Sequence, residues 1–241
     1  MKKLIFLLFL LSSTHTWAQE QAQSTSDFSN ESEASVVVSG GNTEIEVYNF
    51  ETENTYTWEE NEVKAGGHYT YGTSSGVLSA RNWDLNARYD RSLSKMTGLF
   101  TAYEYEEDKF RGLNFRQNAD LGFLFKSIRS DKQKLDFETG YRFSKEKNLK
   151  DITNELHKSR YAFSYQYKSD RAWSFKIKSE LLLNHTDKSD TIFNAEPSFN
   201  VSLSDIVSFK ITYKAIYDNQ PNEGVDKKYD YQVTSGLIAK F

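Results

Sequence analysis

The chain has 241 residues, with 30 basic against 34 acidic side chains and a formal charge of −4. That mild acidity argues against nucleic acid as a partner, and the absence of cysteine excludes disulfides, thiolate nucleophiles and thiolate metal sites. Aromatics at 15% and only 2 prolines favour a strand-rich fold, and the mean hydropathy of −0.68 leaves no room for a bundle of membrane helices.

The N-terminus reads as an export address. Met1-Lys2-Lys3 is basic, Leu4 to Leu11 is an apolar run, and Thr16-Trp17-Ala18 offers small residues around a cut after Ala18. The run is far shorter than the roughly 20 residues a membrane-spanning helix needs. Residues 1–18 are therefore predicted to be a cleaved secretory signal. Residues 19–33 are polar with little to bury, and are predicted to form a flexible periplasmic tail.

From residue 34 to residue 241 the pattern has a period of two, as expected when successive side chains point to opposite faces of a strand. Uncharged rows such as Trp83-Leu85-Ala87-Tyr89, Leu121-Phe123-Phe125 and Trp173-Phe175-Ile177 alternate with polar rows carrying Arg88, Asp120, Glu138, Arg142, Glu180 and Lys210. About twelve strands can be marked, most of them longer than the roughly 9–11 residues of a tilted membrane strand. Ten strands is the alternative closure, because Pro197 falls inside the tenth segment and removes a ladder donor. In the second segment Ile45 and Val47 lie on the parity opposite Tyr48 and Phe50, which predicts a bulge there.

Turn chemistry sets the topology. Ser94-Lys95, Ser130-Asp131, Ser169-Asp170 and Ser204-Asp205 recur at intervals of 36, 39 and 35 residues, one hairpin apart. These turns fall on the side of both termini, with the longer connectors opposite. Short periplasmic turns and longer outer loops are the rule for outer-membrane barrels. The predicted fold is all-β: a transmembrane antiparallel up-and-down β-barrel in the bacterial outer membrane, in contact with its lipids.

The last strand alternates Tyr229, Tyr231, Val233, Ser235, Leu237, Ala239, Phe241 with a more polar row. Its end resembles the signal that outer-membrane barrels present to the barrel-assembly machinery. The slots are Thr234, Gly236, Ala239 and Phe241, with Ala239 where an aromatic is more usual.

Two further stretches carry a resemblance. Ser39-Gly40-Gly41-Asn42-Thr43 is similar to an early Ser-Gly-Asn-Thr motif. Tyr105-Glu106-Glu107-Asp108-Lys109-Phe110-Arg111-Gly112-Leu113-Asn114-Phe115-Arg116 resembles a central Tyr-Glu-x-Asp-x-Phe-x-Gly-x-x-aromatic-Arg motif. Both belong to a domain-of-unknown-function family of salt-induced outer-membrane proteins, YdiY-like. One departure is Leu121-Gly122-Phe123, where the family carries a Gly-x-Gly pair. The resemblance implies an outer-membrane barrel with no established activity and no cofactor, and it does not imply an enzyme.

The candidate site is the charge cluster Glu104, Glu106, Asp108 and Arg116 around the connection between the fifth and sixth strands. Such charges can bind a cation or narrow a pore, and equally they pair across strands to stabilise a polar lumen, which is the favoured reading. Long inward side chains of both signs would fill much of the bore. The expected function is thus envelope integrity or stress response, or a narrow, ion-pair-filled conduit rather than a wide porin. Two alternatives stand. A lipid-modifying enzyme would use His157 and Ser159, two apart on one strand face, though no oxyanion segment accompanies them. A soluble periplasmic barrel would turn its apolar rows inward around an apolar ligand. The scattered histidines make no metal site.

Overall fold

The computed structural model describes residues 26–39, 44–187, 190–221 and 227–240. Among them, twelve antiparallel strands run in chain order and close on themselves, β1 meeting β12. They are β1 Ser26–Ser39, β2 Ile45–Trp58, β3 Asn61–Ser74, β4 Val77–Ser92, β5 Thr97–Asp108 and β6 Leu113–Arg129. The circuit continues with β7 Gln133–Asn148, β8 Thr153–Lys168, β9 Trp173–Asn184, β10 Thr191–Ser202, β11 Val207–Asp218 and β12 Tyr229–Lys240. One 3-10 turn, Lys109–Arg111, links β5 to β6. The shortest strands have 12 residues. At about 3.4 Å per residue and a tilt near 40°, such a strand covers roughly 30 Å along the barrel axis.

The ten-strand alternative is excluded. Pro197 pairs with Ile177 on β9, and toward β11 the ladder skips Glu196 and Pro197 without losing register. The missing donor is absorbed locally. Strand β1 begins at Ser26, so residues 26–33 are not tail but sheet, a correction to the sequence reading. They hold only one large apolar residue, Phe28, and are recruited by an unbroken ladder to β2 from Ser26↔Trp58 upward. The bulge expected in β2 is also absent, since both its ladders keep register. Ile45 and Val47 face inward, and Val47 packs where Gly72 and Ala80 leave space. Residues 1–25, the Gly40–Thr43 part of the early motif and Phe241 lie outside the described residues.

The faces are inverted relative to a water-soluble protein. Leu85, Leu121, Val233 and Tyr231 on the outer wall are 59–67% exposed, while Arg116, Asp120, Glu146 and Lys158 inside are at most 8% exposed. A soluble barrel with an apolar lumen would show the reverse, so that reading is overturned. Aromatic rings in mutual contact stand at both rims of the outer wall. Trp83, Tyr105 and Phe115 line one end, and Tyr56, Trp58, Tyr167, Trp173 and Phe199 the end where β1 begins and β12 finishes.

The serine turns behave as their chemistry dictates. The hydroxyls of Ser94, Ser130, Ser169 and Ser204 each accept a backbone N–H from within the turn, at 2.9–3.1 Å. At the opposite rim, Ser75-Gly76 makes a two-residue hairpin with positive φ at both positions, 50° and 76°.

Candidate functional site

The lumen is built in two unlike halves. Along β4–β9 it is packed solid with charge. Arg88 of β4 holds Glu138 of β7 through two bonds of 2.8 and 3.1 Å, spanning two intervening strands. Arg142 grips Asp120 with two bonds of 2.7 Å and also reaches Glu180. Arg160 closes the network on Glu138 at 2.6 Å and Glu180 at 2.5 Å. Bidentate pairs of this kind are the strongest charge contacts available to a side chain, and buried charges persist only when so paired.

Phe100 sits inside this network, 2% exposed, with the Arg88 and Arg160 guanidinium groups 4.4 and 5.3 Å from its ring centroid. The ring fits because Gly122 and Gly140 face each other across β6 and β7. A Cβ on Gly122 would lie 2.7 Å from the Phe100 ring and 2.4 Å from the Thr139 carbonyl. The sequence reading noted Gly122 only as a departure from a Gly-x-Gly pattern. Its partner glycine stands on the neighbouring strand instead. Phe100 itself was missed, although an aromatic on the polar parity, between Gly98 and Ala102, was the available signal.

The predicted cluster is only partly assembled. Arg116 joins Glu106 at 2.9 Å and Glu146 of β7 at 2.8 Å, and Glu104 accepts from Asn118, which in turn is bonded by Ser144. Asp108 does not take part. It lines the upper cavity beside Glu106 but bonds none of the other three; its carboxylate accepts from the backbone N–H groups of Phe110 and Arg111 and so caps the 3-10 turn. Glu146 was absent from the sequence-level cluster because its partner lies 30 residues away.

The remaining side, β9–β12 with β1–β4, is open. Three cavities stack along it, of about 230, 170 and 500 Å³ from the upper rim to the end where β1 begins. The upper and middle cavities share His68, Asp84, Glu106 and Lys214 in their walls, and the middle and lower share Glu33, Glu51, Glu53 and Glu196. They follow one another off the axis, the lower bounded by the Ser169–Ala172 turn and the upper by Phe110 and Arg111. In its wall, His68 is bonded to Asp84 and Thr70, and Thr70 donates to Asn49.

The serine and histidine expected of a lipid-modifying enzyme are not brought together as a pair. Ser159 bonds His185 at 2.7 Å, whereas His157 bonds the Tyr141 hydroxyl. Both lie on the outer wall near the upper rim, and among the described residues no carboxylate is bonded to either imidazole. Also among the described residues, no group of three His, Cys, Asp or Glu could hold a metal ion. Of the terminal-strand residues, Gly236 and Thr234 face the lumen and Ala239 the outer wall, paired with Ser32 of β1.

A family described as a protein of unknown function, DUF481, matches residues 32–241. No curated protein matches the chain. Among solved structures, the chain is similar to the NanC porin (9% identity, TM-score 0.54, covering 88% of this chain and 98% of that one). It is also similar to an outer-membrane channel from Pseudomonas putida F1 (9% identity, TM-score 0.53, 92% and 97%) and to the KdgM porin (6% identity, TM-score 0.50, 89% and 99%). At these identities the likeness is one of fold.

Proposed function

The chain belongs to the family of proteins of unknown function DUF481, and from that premise we propose that it is an outer-membrane barrel carrying a narrow, off-axis conduit for small solutes. The observation that carries this reading is the stack of three cavities with shared walls down one side of a lumen whose other side is filled. The inverted faces support the membrane address. An apolar wall with aromatic rings at both rims matches a bilayer with its two interfaces, and a charged lumen is tolerated only where water reaches it.

Orientation follows from the turns. On this reading the short serine turns, the start of β1 and the end of β12 lie on the periplasmic side, with the 3-10 turn and the Ser75-Gly76 hairpin outside. Export, and recognition of the terminal strand by the barrel-assembly machinery, are the route this address requires.

The packed half supports a small conductance. Arg88, Arg142, Arg160 and Phe100 occupy volume that a general porin leaves to water, so only the β9–β4 side is free to conduct. Purified, refolded protein inserted into planar bilayers tests the proposal. A small, steady conductance is expected. A silent membrane, with insertion verified by the heat-dependent gel mobility of the protein, would refute it.

A further inference from the structure

We propose that the conduit passes small inorganic cations and excludes anions, with the middle cavity as its filter; the inference rests on the conduit reading above. The middle cavity is the smallest of the three, at about 170 Å³, and its walls are acidic. Glu51, Glu53, Asp84, Glu104, Glu106 and Glu196 line it together with Glu33, against a single lysine, Lys214, and His68. The bases that pair with these acids stand outside the cavity: Arg116 behind Glu106, Lys210 beyond Glu33, and Lys178 at 3.9 Å from Glu196. Carboxylates thus dominate the middle cavity, whereas Lys178 and Lys210 face the lower one, where Lys168, Arg171 and Lys176 join them and the two signs are balanced, so selection falls to the middle cavity.

Glu104 is held only by the Asn118 amide, and two more acids lack an ion pair as well. Glu51 and Glu53 make no ion pair among the described residues, and the β1–β2 ladder sets Glu51 directly across from Glu33 and Glu53 across from Glu31. Like charges opposite one another on adjacent strands repel; Lys210 at Glu33 and the lysines of the lower cavity offset part of that repulsion, and a mobile cation before Glu51 and Glu53 offsets more. Acids set in a cleft with low-dielectric walls focus the field and raise the local concentration of counter-ions. Rings of Asp and Glu select cations in the same way.

A neutral ligand points to the same class of solute. Thr212 lines the middle cavity from β11 and is 8% exposed, yet its hydroxyl oxygen has no hydrogen-bond partner. A buried hydroxyl left unpaired costs free energy, unless a transient partner fills the place. An ion shedding part of its water accepts such an oxygen as a ligand, whereas chloride gains nothing from the surrounding carboxylates.

The test is the reversal potential of the refolded protein in planar bilayers under a KCl gradient. The expected value lies on the potassium side of zero, and the Glu51→Gln/Glu53→Gln variant should move it toward zero while the protein keeps its heat-dependent gel mobility. Current reversing at zero or on the chloride side would overturn cation selection and leave the conduit standing. Wild-type selectivity unchanged in the double variant would overturn the placement of the filter. No current at all would remove the conduit, and this inference with it.

Discussion

Lys210 donates to Glu33 at 2.9 Å although their strands, β11 and β1, never touch. The ion pair passes over β12 at Gly236, the residue in register with Lys210. A Cβ on Gly236 would lie 2.7 Å from the carbonyl oxygen of Ala34 and 2.9 Å from the Ser35 Cβ. Glycine therefore permits both the close approach of β1 and the crossing of the lysine. The crossing matters because β1 and β12 share a ladder of only four pairs, Glu31↔Lys240 to Ala34↔Leu237. Above it, Gln232 reaches over β1 to Asn49 at 3.2 Å, and Asn49 bonds Ser35. The seam that closes the barrel is held by side chains as much as by backbone.

The first prediction concerns that seam. Glu33→Gln should cost about 1–3 kcal/mol, more than an exposed pair and less than a fully buried one. Gly236→Ala should cost more, because the obstruction is backbone rather than a flexible side chain. The unfolding temperature of the inserted barrel, read from heat-dependent gel mobility, checks both. Neutralising both partners, Lys210→Met with Glu33→Gln, should cost less than the sum of the single changes.

The second prediction concerns the packed half. Phe100→Ala removes a ring that two guanidinium groups cover, and should cost about 3–5 kcal/mol as a large core truncation does. It should also raise conductance, since the vacated space joins the open side. Gly122→Ala should act in the same direction by displacing the ring. A stability loss with no change in conductance would mean that the two halves of the lumen are sealed from one another.

The third prediction concerns the outer wall. Leu121 lies at the centre of β6 and is 63% exposed on the apolar face. Leu121→Arg should cost about 2–4 kcal/mol near the bilayer midplane. Glu51→Arg, on the open inner wall, should cost less. The inward residue Asn118 is a poor comparator, since it is 5% exposed and bonded to both Glu104 and Ser144. Folding into lipid vesicles at graded denaturant measures the difference.

The strand count, the faces and the sidedness of the turns were legible in the sequence because each depends on neighbours along the chain. Alternation at Trp83–Tyr89 and the serine at each of four turns are local signals, and the ladders follow them. The first strand was misjudged at its start because Ser26–Glu33 lacks alternating apolar residues and is shaped by β2. The lumen was legible only as polar. Which charges meet is decided by closure, which brings Arg88 to Glu138 across 50 residues and Lys210 to Glu33 across 177. No periodicity reports such contacts. The same holds for Ser159, whose true neighbour His185 lies just past the end of β9, and for Asp108, whose carboxylate is engaged by the backbone of the 3-10 turn that follows it.

Thiol accessibility at two adjacent residues tests the central claim most directly, because the chain has no cysteine of its own. Phe50 and Glu51 are both exposed on the bare barrel, Phe50 on the outer wall and Glu51 on the open lumen. Only a surrounding bilayer makes them differ. Single variants Phe50→Cys and Glu51→Cys, in outer membranes permeable to a small charged thiol reagent, should separate cleanly. Glu51→Cys should react and Phe50→Cys should stay unreactive until detergent replaces lipid. Reaction at Phe50→Cys with protection at Glu51→Cys would contradict the account, leaving a barrel with a wetted outer wall and no water-filled path.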